Sequence, residues 1–143
     1  MKKGFTLSET VVALAVILVI VLAFYSFANF SRAAHQRTMA TNFGILQVEN
    51  IKNIFDASTF QQNNFQNFQS HFAEVYDDVN INLSANSCDF VIYTTLDGGQ
   101  SSSGDVACTF EINIANNWAT LSGAVEYNNK IVFEMQPYQK AVA

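Results

Sequence analysis

Hydrophobic and polar positions divide this chain into stretches of three different rhythms. Residues 11–27 are almost all apolar, with no recurring polar position. That run is at the lower end of the length that crosses a bilayer as a helix, and residues 10 and 28–30 can extend it. Beyond residue 30 polar residues return, but helical spacing persists. Residues 31–55 contain no proline and one glycine, Gly44. Met39, Phe43 and Leu46 fall near one stripe, with Val48, Ile51 and Phe55 alongside. Arg32, Gln36, Arg37, Gln47 and Lys52 lie largely off it. The pattern predicts one helix from about Thr6 to about Phe55, roughly 75 Å long at 1.5 Å per residue. Its first half is apolar all round and must be surrounded by lipid or by other copies of the same helix. Its second half is amphipathic and must lie on a folded body. Gly44 marks either close packing or a bend there.

The rhythm then breaks. Between 56 and 71, Gln61, Gln62, Asn63, Asn64, Gln66, Asn67 and Gln69 interleave with Phe60, Phe65 and Phe68, and Phe72 follows. The spacing of 65, 68 and 72 predicts a short helix tucked on the core; an irregular loop pinned by aromatics is the alternative. From Val75 the period becomes two. Val79, Ile81 and Leu83 form one run, and Phe90, Ile92 and Thr94 the next. Val106, Cys108, Phe110, Ile112 and Ile114 form the clearest strand. Ala119, Leu121, Gly123, Val125 and Tyr127 follow, and Ile131, Phe133 and Met135 come last. Asn128-Asn129 is a two-residue turn signal, because Asn tolerates positive φ, and Asn116-Asn117 suggests another. Residues 97–104 read as a polar loop. The expected fold class is α+β: a long N-terminal helix packed on an antiparallel sheet of four strands with one apolar face.

Composition adds limits. The chain has 143 residues and a formal net charge of −5. Residues 53–129 contain no Lys or Arg. Such a surface repels a phosphate backbone, so no direct nucleic-acid binding is expected. Arg32, His35 and Arg37 read as a membrane-proximal helix surface. No nucleophile elbow, P-loop or HExxH motif occurs, and His35 and His71 stand alone, so the chain is not expected to be an enzyme. Asp78, Asn80, Asn82, Ser84 and Asp89 echo a calcium-loop spacing. Leu83 occupies the position that needs Gly, and burial of Val79, Ile81 and Leu83 on a strand explains the same alternation. No metal and no cofactor is expected. Cys88 and Cys108 are a candidate disulfide if the domain lies outside the cytoplasm, and buried thiols if it does not.

The chemistry gathers at the start, in Lys2-Lys3-Gly4-Phe5-Thr6-Leu7-Ser8-Glu9. Lys2 and Lys3 place the N-terminus in the cytoplasm by the positive-inside rule, and the rest outside. A cleaved secretory signal would have an apolar core of about 7–15 residues and a small-residue cleavage site. Here the core is longer and Ser26-Phe27-Ala28 is a poor site. A plain signal anchor accounts for the length but not for Glu9. A carboxylate at the edge of hydrocarbon costs up to about 2.5–3.5 kcal/mol on insertion scales.

This segment closely resembles the class III signal of type IV pilins, pseudopilins and related filament subunits. The resemblance implies that a membrane-embedded prepilin peptidase cuts between Gly4 and Phe5 and N-methylates Phe5. Residues 1–4 are then a leader, 5–30 the transmembrane and filament-core half of the helix, 31–56 its amphipathic half, and 57–143 a pilin-like head. Loss of Lys2 and Lys3 takes the formal charge from −5 to −7. The family role gives Glu9 a partner, the Phe5 amine of a neighbouring subunit, which makes a buried carboxylate tolerable and sets the register of apolar helices. A helix-dipole role for Glu9 is compatible with this but leaves Gly4-Phe5 unexplained.

Ser8 stands where many members have an aliphatic residue, and the only proline is Pro137 rather than one within the apolar helix. These departures favour a minor pilin or pseudopilin, in a type IV pilus-like or type II secretion-like filament. The implied partners are other pilin subunits, the prepilin peptidase, the inner-membrane assembly platform and membrane lipid. The implied locations are the inner membrane first and a cell-surface or periplasmic filament afterwards. The competing expectation is a monomeric, membrane-anchored extracytoplasmic binding or adhesin domain.

Overall fold

The computed structural model describes residues 6–62, 64–96, 99–101 and 103–142. Two helices and six strands follow one another: α1 (Leu7–Ala57), α2 (Gln66–Ala73), β1 (Ile81–Leu83), β2 (Ser87–Thr94), β3 (Gln100–Ser101), β4 (Val106–Ala115), β5 (Trp118–Tyr127) and β6 (Lys130–Ala141). The chain divides into two compact units between Gln36 and Arg37. The long helix, the short helix at the phenylalanine spacing and the antiparallel sheet all match the α+β expectation.

The sheet order is β1-β2-β4-β5-β6, with β3 also on β2, and all pairings are antiparallel. Among the described residues, six strands replace the expected four. β1 lies within the Val79–Leu83 run, whereas β3, of two residues, is too short to carry an alternating signal. Both Asn-Asn pairs are turns. Asn116 and Asn117 have φ of 53° and 64°, and Asn128 and Asn129 have 51° and 58°. Two positive-φ residues give the twist that joins antiparallel strands through a two-residue loop.

In the unit from Arg37 onward, α1 buries Ala40, Gly44, Val48, Ile51, Ile54 and Phe55. Leu46, expected on the inner stripe, is 52% exposed. The stripe is displaced because small residues form its upper part. A Cβ at Gly44 would collide with Val125 of β5, with Val125 Cγ2 only 2.6 Å away. Gly44 is therefore a point of close approach between helix and sheet.

Aromatic rings carry the core onward. Phe55 and Phe60 have centroids 4.7 Å apart, and Phe60 lies 6.2 Å from Phe68. Phe68 and Phe72 of α2 meet Phe90 at 5.8 and 4.8 Å, and Phe90 stacks on Phe110 at 5.4 Å. Each such pair contributes about 0.5–1.5 kcal/mol beyond the area it buries. Tyr76 donates a 2.6 Å hydrogen bond to Gln47 Oε1 of α1.

β6 departs from strict alternation. Register shifts fall between Leu121 and Gly123 and between Val125 and Glu126 on its partner β5. The second places Phe133 opposite buried Val125 but Ile131 opposite Glu126, and Ile131 is 56% exposed. A one-residue bulge moves a side chain to the other face. Near its end, β6 returns to α1. Lys140 Nζ donates to the carbonyls of Asp56 and Ser58, the latter at 2.7 Å. The Lys52 ammonium lies 4.3 Å from the Tyr138 ring centre, and a hydrogen bond with Asp56 raises the Tyr138 pKa. No basic residue stands in the last turn of α1, so Lys140 supplies the cation its carbonyl end favours.

Of the two alternatives for the cysteines, the structure holds the buried thiols and not the disulfide. Cys88 and Cys108 are free, buried thiols on neighbouring strands. Cys88 faces Ile112 and Cys108 faces Ile92, so they are four positions out of register. Four residues span roughly 13 Å of strand, whereas a disulfide needs Cα atoms within about 7 Å. Both sit on the apolar face, where burial pushes each thiol up to about 12.

Candidate functional site

The site is the first turn of α1 and the apolar surface that follows. Thr6 occupies the N-cap and Glu9 the third helical position. The Thr6 backbone N–H donates to Glu9 Oε2 at 2.8 Å, and Glu9 N–H donates to Thr6 Oγ1 at 3.4 Å. This reciprocal pair is a capping box, which satisfies two donors that a helix start leaves open. The Thr6 hydroxyl also donates to Glu9 Oε2 at 2.8 Å. Thr10 closes the turn, its N–H on the Thr6 carbonyl at 3.1 Å and its hydroxyl on the same oxygen at 3.2 Å. The carboxylate is therefore held at a defined place on the helix.

Behind it the helix is apolar on every side. Leu14, Leu18, Leu22 and Phe30 are among the large hydrophobic side chains left more than half exposed. The most apolar 18-residue window has mean hydropathy 2.9, and none of it is buried. Residues 11–30 contain 13 Val, Leu, Ile or Phe residues. On insertion scales these contribute about −0.3 to −0.6 kcal/mol each, roughly 4–8 in total. That exceeds the cost of one carboxylate, about 2.5–3.5 at most. Glu9 does not prevent insertion of this helix. It only makes an unpartnered, fully inserted state less favourable.

Gly4 and Phe5, the expected cleavage and methylation positions, lie outside the described residues. The sequence reading missed Thr6 as the partner of Glu9, although the T-x-x-E spacing was a legible signal. Cys88 and Cys108 are in the head core and take no part in this site. No group of three or more His, Cys, Asp or Glu able to hold a metal occurs among the described residues.

Residues 1–25 match the prokaryotic N-terminal methylation motif. That motif is the class III signal of type IV pilins and pseudopilins. It covers the residues before the helix, the capping box and most of the exposed apolar helix. No curated protein and no solved structure matches the chain. The methylation motif and the pilin-like α+β arrangement together describe a type IV pilin-like protein. The motif points to a structural role rather than an enzymatic one, and it implies processing by prepilin peptidase and assembly with other pilin subunits. The apolar helix fits membrane anchoring with an extracytoplasmic head.

Proposed function

We propose that this protein is a minor pilin or pseudopilin, a structural subunit of a type IV pilus-like or type II secretion-like filament. The observation that carries the reading is the methylation motif lying on a helix whose apolar side chains are exposed and which carries one fixed carboxylate. Cleavage between Gly4 and Phe5 removes the two lysines that oriented insertion. It creates a cationic amine on Phe5, four residues before Glu9. Thr6 bonds to Oε2, and a carboxylate has about four lone-pair sites, so Glu9 has capacity for a neighbour's ammonium while its helix start stays capped. The departures at Ser8 and in the proline-free apolar helix support a specialised position over the repeating bulk of a filament.

Intact mass tests the processing step. The chain is expressed with and without a prepilin peptidase. The expected product has lost residues 1–4 and gained one methyl group. An unprocessed chain, or a cut near Ala28, would overturn the reading.

A further inference from the structure

The amide-rich tract that follows α1 lies apart in sequence from the capping box at Thr6 and Glu9. It borders a cleft of about 620 Å³ lined by Thr59, Gln61, Asn64, Gln66, Asn67 and Gln69, together with Ser70, whose hydroxyl donates to the Gln66 carbonyl at 3.0 Å. Small-molecule sites typically occupy about 300–1,000 Å³. None of these lining side chains is charged. Phe60, Phe65 and Phe68 of the same tract are buried in the aromatic core and anchor the segment. The amides are left facing the cleft and solvent.

Two of those amides have a determined orientation. The Thr59 backbone N–H donates to Asn67 Oδ1 at 2.7 Å, and the Gln66 N–H donates to Asn64 Oδ1 at 2.9 Å. A backbone N–H only donates, so the atom it meets must be the amide oxygen. Each Nδ2 is thereby left as a donor whose position is set by the backbone. Gln61, Gln66 and Gln69 add amides that both donate and accept.

We propose that this cleft binds a neutral, polyhydroxylated ligand, a short stretch of uncharged glycan. Sugar hydroxyls both donate and accept, matching a wall of amides and hydroxyls. Phosphates find no cation in the lining, and the nearby Lys140 ammonium is engaged by the Asp56 and Ser58 carbonyls. Anionic ligands in general lack a charged partner in the lining, and apolar ligands would leave the amides unsatisfied. The site belongs to the single chain and does not depend on filament assembly.

The test uses the full chain in lauryldimethylamine oxide micelles, a detergent with no sugar headgroup. Titration calorimetry with the tetrasaccharides of glucose and of N-acetylglucosamine is expected to show saturable binding of at least one. The double variant Gln66→Ala/Gln69→Ala keeps the backbone-bonded Asn64 and Asn67. It should retain its melting transition yet bind about tenfold more weakly, the effect of losing one or two ligand hydrogen bonds. The proposal is overturned if neither tetrasaccharide binds the unaltered chain, or if the double variant binds as well as the parent. It is equally overturned if dextran sulfate or an uncharged Gly-Ser peptide binds as tightly. Prepilin processing is unaffected by any of these outcomes.

Discussion

The two halves of α1 use the same apolar vocabulary for opposite ends. From Leu7 to Phe30 the large side chains are exposed, Leu18 at 63% and Phe24 at 72%. From Arg37 onward, Ile51 and Phe55 of the same helix are fully buried. Apolar side chains left open by their own chain must be covered by something else. Lipid does this for a precursor, and neighbouring helices do it in an assembly. The later half closes its apolar face within the head. The difference separates what the head needs in order to fold from what the subunit needs in order to join others.

Substitutions can break that separation or sharpen it, and the largest effect is expected at Glu9. Glu9→Val should abolish incorporation into sheared, sedimented filaments while leaving membrane insertion and head melting unchanged. Normal incorporation of Glu9→Val would remove the pairing role. Gly44→Ala comes next. The added methyl must displace Val125, and overpacking of this kind costs about 1–3 kcal/mol. Thermal unfolding followed by circular dichroism should show the loss. Leu46→Ala, two residues away but half exposed, should stay within about 0.5 kcal/mol of the parent.

These contrasts also mark what was legible beforehand. The apolar run, the change of period at Val75 and both Asn-Asn turns each express a local rule, so the sequence alone revealed them. The inner stripe of α1 was misplaced because Ala40 and Gly44 carry little hydrophobic weight, although their smallness sets the helix against β5. The exposure of Ile131 depends on a bulge, which alternation cannot reveal. The choice between disulfide and buried thiols turned on strand register, a property of two strands together. At the start of α1, Glu9 stood out by its cost, whereas Thr6 was overlooked although its partner lies three residues away.

Further effects belong to the core of the head and to its closing strand. Its two buried thiols have pKa values raised from 9.0 to about 12, because burial disfavours the thiolate. The raised values mean that their contribution is fully present below pH 9 and is lost as pH rises from 9 towards 12. Denaturant unfolding at stepped pH should show this decline, and Cys88→Ala/Cys108→Ala should flatten it. Thiol alkylation of the folded chain at pH 8 should be slow and should accelerate on unfolding. Lys140→Met should have a modest effect. It removes two hydrogen bonds to the end of α1 but keeps the side-chain stem, for a loss of about 1 kcal/mol in the same melting assay.

The capping box at Thr6 and Glu9 has a consequence for maturation. Every group described as closing the first turn, from the Thr6 hydroxyl to the Thr10 amide, lies downstream of Gly4. A chain shortened to begin at Phe5 therefore keeps the instructions for where its helix begins. Removal of a leader need not cause the helix to fray or to restart at another residue. The carboxylate then keeps its place in the first turn, before and after the cut.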